Sequence, residues 1–444
     1  MASRKQKRTR SSKPPKNAKF AKAYPSAINT SSIPSHYVAL LFVIRILSAF
    51  LNPISDCDET FGYWEPTSFL ITNHGFQTWE YAPEFALRSY SYLLPYAAIG
   101  ESLSFLHITR SSPAIIFYLL RMVLSITCAL CELYFAHSLT PWFGARTAFF
   151  TFLFLTFSSG MFNCAAAYLP QQFVLCAVCL SFGCFFRENR KMAILWMGVA
   201  ALIGWPFIVF LAVPMAVDCI WTMGLGAFCG WTLLFGLSLC TLSVAIDFVF
   251  YGKVLLAPFN IFLYNLAITG GDDEGGDRAE GQNLYGTEHW IYYVQNLVFN
   301  WNIVYLLAFS APMLCHVAAL VFCHKKKRML SVVAVRLLHC MLPLWTWYLL
   351  FSYMPHKEER FMFVIYPFLA LNASLSLTQC RLIKLGDDGV TVMGVHVLRK
   401  DTARFVASNF NFGVVLAFIV LSLSRTAGQV ENPLISMILY FCLF

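Results

Sequence analysis

Residues 113–137 read PAIIFYLLRMVLSITCALCELYFAH. Apart from Arg121, Glu132 and the closing His137, nothing in this run is charged or titrates near neutrality. A bilayer's hydrocarbon core takes about 20 apolar residues of helix, so the run is long enough to span it. The apolar residues are continuous rather than alternating, and a lipid-exposed backbone must satisfy its polar groups internally; both facts point to helix. Comparable runs cover about 36–52, 146–162, 170–186, 192–216, 222–249, 297–322, 331–354, 361–379 and 405–424, with a short apolar stretch at 433–444. Composition agrees: 58% of the 444 residues are hydrophobic and 12% charged, against about 25% charged in soluble domains. The expected fold is all-α, a polytopic membrane helical bundle of about ten to twelve crossings, with no separate soluble domain and no internal repeat.

Arg121 and Glu132 lie eleven residues apart, close to three helical turns, so they share a face. At about 16 Å of helical rise they are too distant to pair. A central charge costs roughly 2.5–3.5 kcal/mol on insertion scales, so that face should point into the bundle and pack on other helices. Most of the fifteen cysteines also fall in apolar runs, Cys128, Cys131, Cys176, Cys179, Cys184 and Cys240 among them, where they act as small hydrophobes. Their odd number forbids complete pairing, and no CxxC pair recurs at metal-site spacing.

The net charge of +9 is unevenly placed, with Lys and Arg crowding Arg4 to Lys22 and no acid among them. Such an arm can bind nucleic acid, but a span follows at once, which favours a cytosolic anchor over residues 1–35. The apolar run from Tyr37 sits too far from the start for a cleavable signal peptide. RENRK at 187–191 and the cluster His324 to Arg328 should be cytosolic as well, which places the polar segments 53–112 and 250–296 in the lumen. A strict count between Arg190 and Lys325 disagrees unless the Gly204–Trp205–Pro206 break divides a segment, or 253–268 crosses or re-enters.

The densest polar cluster, Ser55-Asp56-Cys57-Asp58-Glu59-Thr60, follows the first span directly. It reads either as a solvated loop with acids near a helix N-terminus or as a general base at the mouth of a cavity. A carboxylate beside another carboxylate, partly desolvated, has its pKa raised and becomes a better base. Downstream, Phe61, Tyr63, Trp64, Trp79 and Tyr81 are interleaved with Glu65, Asn73, His74, Gln77, Glu80 and Glu84. An interfacial aromatic belt is one explanation. A belt does not need so many carboxylates and amides, however, and aromatic faces beside polar groups are also how proteins grip sugars. Arg88 closes the segment, to hold a phosphate or to snorkel to headgroups.

The second cluster, Pro355-His356-Lys357-Glu358-Glu359-Arg360, is wedged between two spans. It reads as a tight hydrated turn, or as cations that receive a phosphate leaving group while the acids orient them. Its cations sit on the lumenal side, against the positive-inside trend, which favours a use. Gly270 to Gly281 holds four acids among glycines without EF-hand spacing, so it reads as a flexible linker. The sequon Asn372-Ala373-Ser374 falls within a span and is expected to stay unmodified.

DCDETFGYWEPTSFL and GFQTWEYAPEFALRSYSYLLPY resemble the first lumenal loop of the dolichyl-phosphate-mannose-dependent α-1,2-mannosyltransferases of asparagine-linked glycosylation, glycosyltransferase family 22. GWPF (204–207), YGKVLLAPFNIFLYN (251–265), NLYGTEHWIYYVQN (283–296) and HKEERFMFVIYP (356–367) continue the resemblance in order from about 38 to 425. It implies a GT-C membrane domain over 36–425 in the endoplasmic reticulum membrane, with a lumenal active site. The donor implied is dolichyl-phosphate mannose, and the acceptor a dolichyl-diphosphate-linked oligosaccharide of Man6 or Man8 chitobiose size. The reaction implied is inverting and needs no nucleotide sugar, cofactor or metal. By position in the motifs, Asp58 would be the base and Glu59 its support. His356, Lys357, Arg360 and Arg88 would hold the donor phosphate, and Trp64, Glu65, Gln77, Trp79 and Tyr81 the acceptor. Family members usually continue into a lumenal tail, whereas 426–444 is a short C-terminal segment, so that tail is expected to be missing. The acidic insert at 271–281 interrupts an otherwise similar loop. Three other readings stand beside this one: a sibling enzyme acting on a glycosylphosphatidylinositol or other dolichol-linked acceptor, a lipid-linked-sugar transporter, and an inactive chaperone-like relative. Clusters at one membrane face favour an enzyme over a transporter, which places charges midway along its spans.

Overall fold

The computed structural model describes residues 33–105, 113–269, 286–322, 327–382, 390–392, 395–398 and 400–443. The basic arm, the Gly-rich insert and the start of the His324–Arg328 cluster lie outside the described residues.

Helix α1 (Ser35–Leu51) begins directly after Pro34 and stops at Asn52, whose extended backbone leads into the acidic cluster. A π-helical turn (Glu59–Trp64) runs on into α2 (Glu65–Thr72). Asn73 ends α2 in the left-handed conformation, φ 57°, which Asn tolerates better than most residues. A 3₁₀ turn (Trp79–Tyr81) and α3 (Tyr90–Phe105) complete the polar-aromatic segment. Then come α4 (Pro113–Ser138), α5 (Thr140–Phe157), α6 (Ser159–Ala165), α7 (Pro170–Phe186) and α8 (Arg190–Val199). They are followed by α9 (Val209–Met223), α10 (Leu225–Tyr251), α11 (Ala257–Thr269), α12 (Ile291–Phe322), α13 (Lys327–Tyr353), α14 (Tyr366–Leu382) and α15 (Lys400–Leu443). One addition to the all-α expectation is a two-stranded antiparallel hairpin between α14 and α15, Val390–Val392 with Val395–Leu398.

Five stretches among the described residues are long and apolar enough to cross a membrane: Ala114–Ser138, Pro206–Met223, Leu225–Tyr251, Glu359–Thr378 and Asn409–Val430. The α5–α6 pair makes a sixth if its 67° bend lies within one span, and α1 and α7 are shorter apolar helices. The protein is a multi-pass membrane protein. The run at 192–216 is divided at the Gly204–Trp205–Pro206 break, one of the two options the crossing count left open: Trp205 is extended at φ −143°, ψ 116°, because the residue before a proline avoids helical backbone. The stretch at 253–268 forms α11, only 13 residues long, too short to cross alone.

The face shared by Arg121 and Glu132 points inward, as expected, and each charge meets a different partner. Glu132 takes Arg45 of α1 in a bidentate pair, Oε1 to Nε at 2.7 Å and Oε2 to Nη2 at 2.8 Å, both residues fully enclosed. Arg121 donates to the Asn52 carbonyl at 2.9 Å and lies 3.6 Å from Glu59. Helix α14 lies in the most enclosed of the five apolar stretches, which is buried from Met362 to Leu377, and it packs against α5 and α12. Asn372 lies within it with its amide committed to the Cys340 and Phe368 carbonyls, so the sequon is closed to modification. Helix α10, by contrast, turns Leu233, Leu237, Leu242 and Val249 outward, a surface suited to lipid and not to water.

Candidate active site

The two polar clusters meet. Arg360 Nη1 donates to Asp58 Oδ2 at 2.7 Å and to Asp56 Oδ1 at 3.3 Å, joining segments 302 residues apart. Arg88 Nη2 reaches the same Asp58 Oδ2 at 3.1 Å. Each arginine is braced from behind, Arg88 Nε by Glu80 Oε2 at 2.6 Å and Arg360 Nε by Glu358 Oε2. Glu358 also accepts His356 Nε2 at 3.0 Å. The result is a chain of alternating charge, Glu80–Arg88–Asp58–Arg360–Glu358–His356. Both guanidiniums engage Asp58 through Oδ2; Oδ1 has no hydrogen-bond partner among the described residues. The Asp58 side chain keeps 28% of its surface exposed.

Local folding explains the placement. Asp58 initiates the π turn and accepts no cap bond, which leaves its carboxylate to the arginines. Arg88 stacks on the Tyr63 ring, 4.5 Å to its centroid, and lies against Gly62, where a Cβ would strike its guanidinium. The turn before α14 is held by other segments. Trp347 Nε1 donates to the Phe361 carbonyl at 2.8 Å, and Trp205 of GWPF stacks on the Phe361 ring at 5.2 Å. From the 283–296 segment, Glu288 N donates to the Pro355 carbonyl at 3.0 Å, and Gly286 O lies 3.4 Å from His356 Nδ1. Motifs scattered through the sequence therefore converge on one charge chain.

Electrostatics divide the two aspartates. Burial pushes Asp58 up, but Arg360 and Arg88 overcome it and hold the carboxyl below the ordinary aspartate value. This reverses the expectation that neighbouring acids would raise the base, because two guanidiniums outweigh one carboxylate. Asp56, with a single weaker arginine contact, is lifted by burial. The hydrogen bond to Glu358 raises the His356 imidazole against the pull of burial, so it stays cationic to higher pH than usual. Glu358 is pushed up by burial but brought below its ordinary value by His356 and Arg360.

The family model described as the Alg9-like mannosyltransferase family matches residues 36–443. The chain belongs to this family. It is 34% identical over 396 residues to alpha-1,2-mannosyltransferase Alg9 of Drosophila melanogaster, an alignment covering 87% of this chain and 60% of that protein. It is likewise 34% identical over 343 residues to alpha-1,2-mannosyltransferase ALG9 of Homo sapiens, covering 76% and 53%. The chain thus spans about 60% or less of the length of these two relatives. Its fold is similar to that of ArnT from Cupriavidus metallidurans bound to undecaprenyl phosphate, with a TM-score of 0.53 at 14% identity, covering 89% of this chain and 75% of ArnT. That likeness supports a GT-C-like fold and nothing finer.

Within this Alg9-like chain, several expected site residues have other tasks. Glu59 is 2% exposed, accepts the Tyr168 amide at 3.1 Å and faces Arg121. Its carboxylate is enclosed on the inner side of the turn. Lys357 is buried, its Nζ donating to the carbonyls of Glu288, at 2.8 Å, and Met354. That ammonium ties two loops together instead of facing the charge chain. Trp64 packs on Phe117 at 5.1 Å, and Tyr81 donates to the Gly62 carbonyl at 2.9 Å; both are buried. Glu65 and Gln77 are half-buried, accepting the Phe76 amide at 3.1 Å and donating to Tyr90 Oη at 3.1 Å respectively. Of the expected acceptor set, Trp79 alone is well exposed, at 45%. Asp56, Glu80 and Glu358 emerge as members of the site. Their sequence signal was proximity to the two clusters, but acids are common there and only the fold pairs them. Among the described residues, Asp56, Cys57 and Asp58 are close enough to share a cation, yet Arg360 and Arg88 already supply positive charge to that pair.

The placement of Lys357 has a measurable consequence. Lys357→Met should lower stability by about 2 kcal/mol, the scale of losing charged hydrogen bonds made by a buried ammonium, while leaving donor KM nearly unchanged. The unfolding midpoint in detergent and the donor KM, measured side by side, check this. A donor KM raised tenfold with unaltered stability would return Lys357 to the phosphate site.

Proposed function

We propose that this chain is an inverting α-1,2-mannosyltransferase of N-glycan precursor assembly. It moves mannose from dolichyl-phosphate mannose to a dolichyl-diphosphate-linked oligosaccharide of Man6 or Man8 size. Its site opens to the lumen of the endoplasmic reticulum, within a bundle of about ten to twelve crossings. The observation that carries this reading is the contact of Arg360 and Arg88 with a single Asp58 oxygen: cations for a leaving phosphate lie beside a carboxylate with an open oxygen. The acceptor 2-hydroxyl oxygen attacks the anomeric carbon as the bond from that carbon to the donor phosphate oxygen breaks. Asp58 Oδ1 takes the hydroxyl proton, and the dolichyl phosphate leaves carrying the electron pair and the negative charge. Arg360, Arg88 and the cationic His356 stabilise that charge as it develops.

As the donor phosphate binds, it competes with Asp58 for both guanidiniums. Asp58 then loses the charges that depress its pKa and becomes the stronger base the reaction needs. Trp79 offers an exposed ring for sugar stacking, with Gln77 two residues before it and Glu65 bonded to the Phe76 amide.

The test is transfer by the purified chain, supplied with polyprenyl-phosphate mannose and defined lipid-linked mannosyl acceptors, with linkage analysis of the product. An α-1,2 product formed without nucleotide sugar and in the presence of a chelator is expected. A different linkage, or no transfer, overturns the reading.

A further inference from the structure

Helix α10 is apolar and largely outward-facing, and its three buried side chains are Ser243, Asp247 and Tyr251. They recur every four residues and so form one stripe. An acidic side chain fully enclosed within such a span is costly and marks a use. All three reach the same short strap, residues 86–91, which carries Arg88. Asp247 accepts Ser89 Oγ at 3.0 and 2.9 Å and the Tyr90 amide at 2.9 Å. Ser243 Oγ accepts Ser91 Oγ at 3.1 Å. Tyr251 Oη donates to the carbonyl of Arg88 itself at 2.6 Å. Beyond α10, Asn260 Nδ2 donates to the Ala86 carbonyl at 3.1 Å, holding a residue whose φ of 43° is uncommon for a side chain with a Cβ.

We propose that Asp247, Tyr251 and Asn260 are positioning residues that aim Arg88 at the donor phosphate, so the YGKVLLAPFN segment serves the reaction without touching it. The proposal rests on the assignment of Arg88 to donor phosphate under Proposed function. Capping of α3 by Asp247 would account for one of these contacts. It does not account for the bonds from Tyr251 and Asn260, which fall before α3, on the carbonyls of Arg88 and Ala86. With its carbonyl and both flanks held, the Arg88 backbone is fixed where its side chain crosses the Tyr63 ring to Asp58.

The decisive variant is Tyr251→Phe, which removes one O–H and keeps the ring that packs on Tyr90 at 5.2 Å. Donor KM is expected to rise about tenfold, the scale of one well-placed hydrogen bond, with acceptor KM unchanged. Asp247→Ala should do the same and Asp247→Asn, which retains an acceptor oxygen, should recover most of the loss. In an Arg88→Ala background, Tyr251→Phe should add nothing, because the two act as one unit. Radiolabelled polyprenyl phosphate, binding directly to each variant in detergent, gives the same comparison without turnover. An unchanged donor KM for Tyr251→Phe, an equal rise in both KM values, or full additivity with Arg88→Ala overturns the inference. Should Asp247→Ala fail to fold, Tyr251→Phe still decides. Wild-type protein that binds polyprenyl phosphate through Arg88 but transfers no mannose sinks the proposed activity and leaves the clamp standing.

Discussion

Asp58→Asn protein should transfer mannose about 10²- to 10⁴-fold more slowly, the usual worth of a general base, while binding polyprenyl phosphate at least as tightly as the native chain. The first half follows from losing the proton acceptor. The second follows from geometry. Asp58 Oδ2 occupies Arg360 at 2.7 Å and Arg88 at 3.1 Å, and an incoming phosphate must displace it. A neutral amide competes poorly, so both arginines become available. Glu80 and Glu358 still brace them, so they do not drift. Single-turnover kinetics and equilibrium binding of labelled polyprenyl phosphate separate the two effects. Near-normal turnover would remove Asp58 from its role. Weaker phosphate binding would mean that Asp58 is needed to orient the arginines, and the exchange at the heart of the reaction would be wrong. The same ion pairs set a pH dependence. Asp58 is depressed below its ordinary value in the folded protein. Its contribution to stability is therefore complete above that ordinary value, and fades only as pH falls through the lowered one.

The second large effect is expected far from the chemistry. Arg45→Met or Glu132→Met alone should destabilise the protein by about 3–5 kcal/mol, because each leaves an uncompensated charge inside the bundle. The pair is fully enclosed between α1 and α4 and bidentate. Arg45 also donates to the Leu155 carbonyl at 2.7 Å, and Cys128 Sγ donates to Glu132 at 3.2 Å. The double variant, with methionine at both positions, should recover most of the loss, since it removes the desolvated charges together. Unfolding midpoints of the four proteins in one detergent form the cycle. A double variant as unstable as the sum of the single ones would show that the pair holds the helices in register instead of merely neutralising itself.

Much of this was legible before any coordinates. The apolar runs at 36–52, 113–137 and 170–186 match helices α1, α4 and α7 closely, because long uninterrupted apolar runs leave the backbone no other way to satisfy itself in lipid. The shared face of Arg121 and Glu132 followed from helical period and its inward direction from the cost of a central charge, though their partners Arg45 and Glu59 did not. The clusters at 56–59 and 356–360 stood out because ionisable groups between spans are costly without a use. Individual members were harder to assign. Glu59 and Lys357 sit beside true members of the charge chain, yet successive helical residues turn by about 100°, and in tight turns neighbours also diverge. Glu59 therefore points to Arg121 and Lys357 to backbone carbonyls.

By itself, then, the sequence determined a helical membrane bundle and marked two polar stretches as costly enough to require a purpose. Tertiary structure alone decided that Asp58 and Arg360 touch, and that α10 grips the strap bearing Arg88. The physical reason is range. Hydropathy and helical period act over a few turns of one segment, whereas ion pairing across 302 residues exists only once the helices have packed.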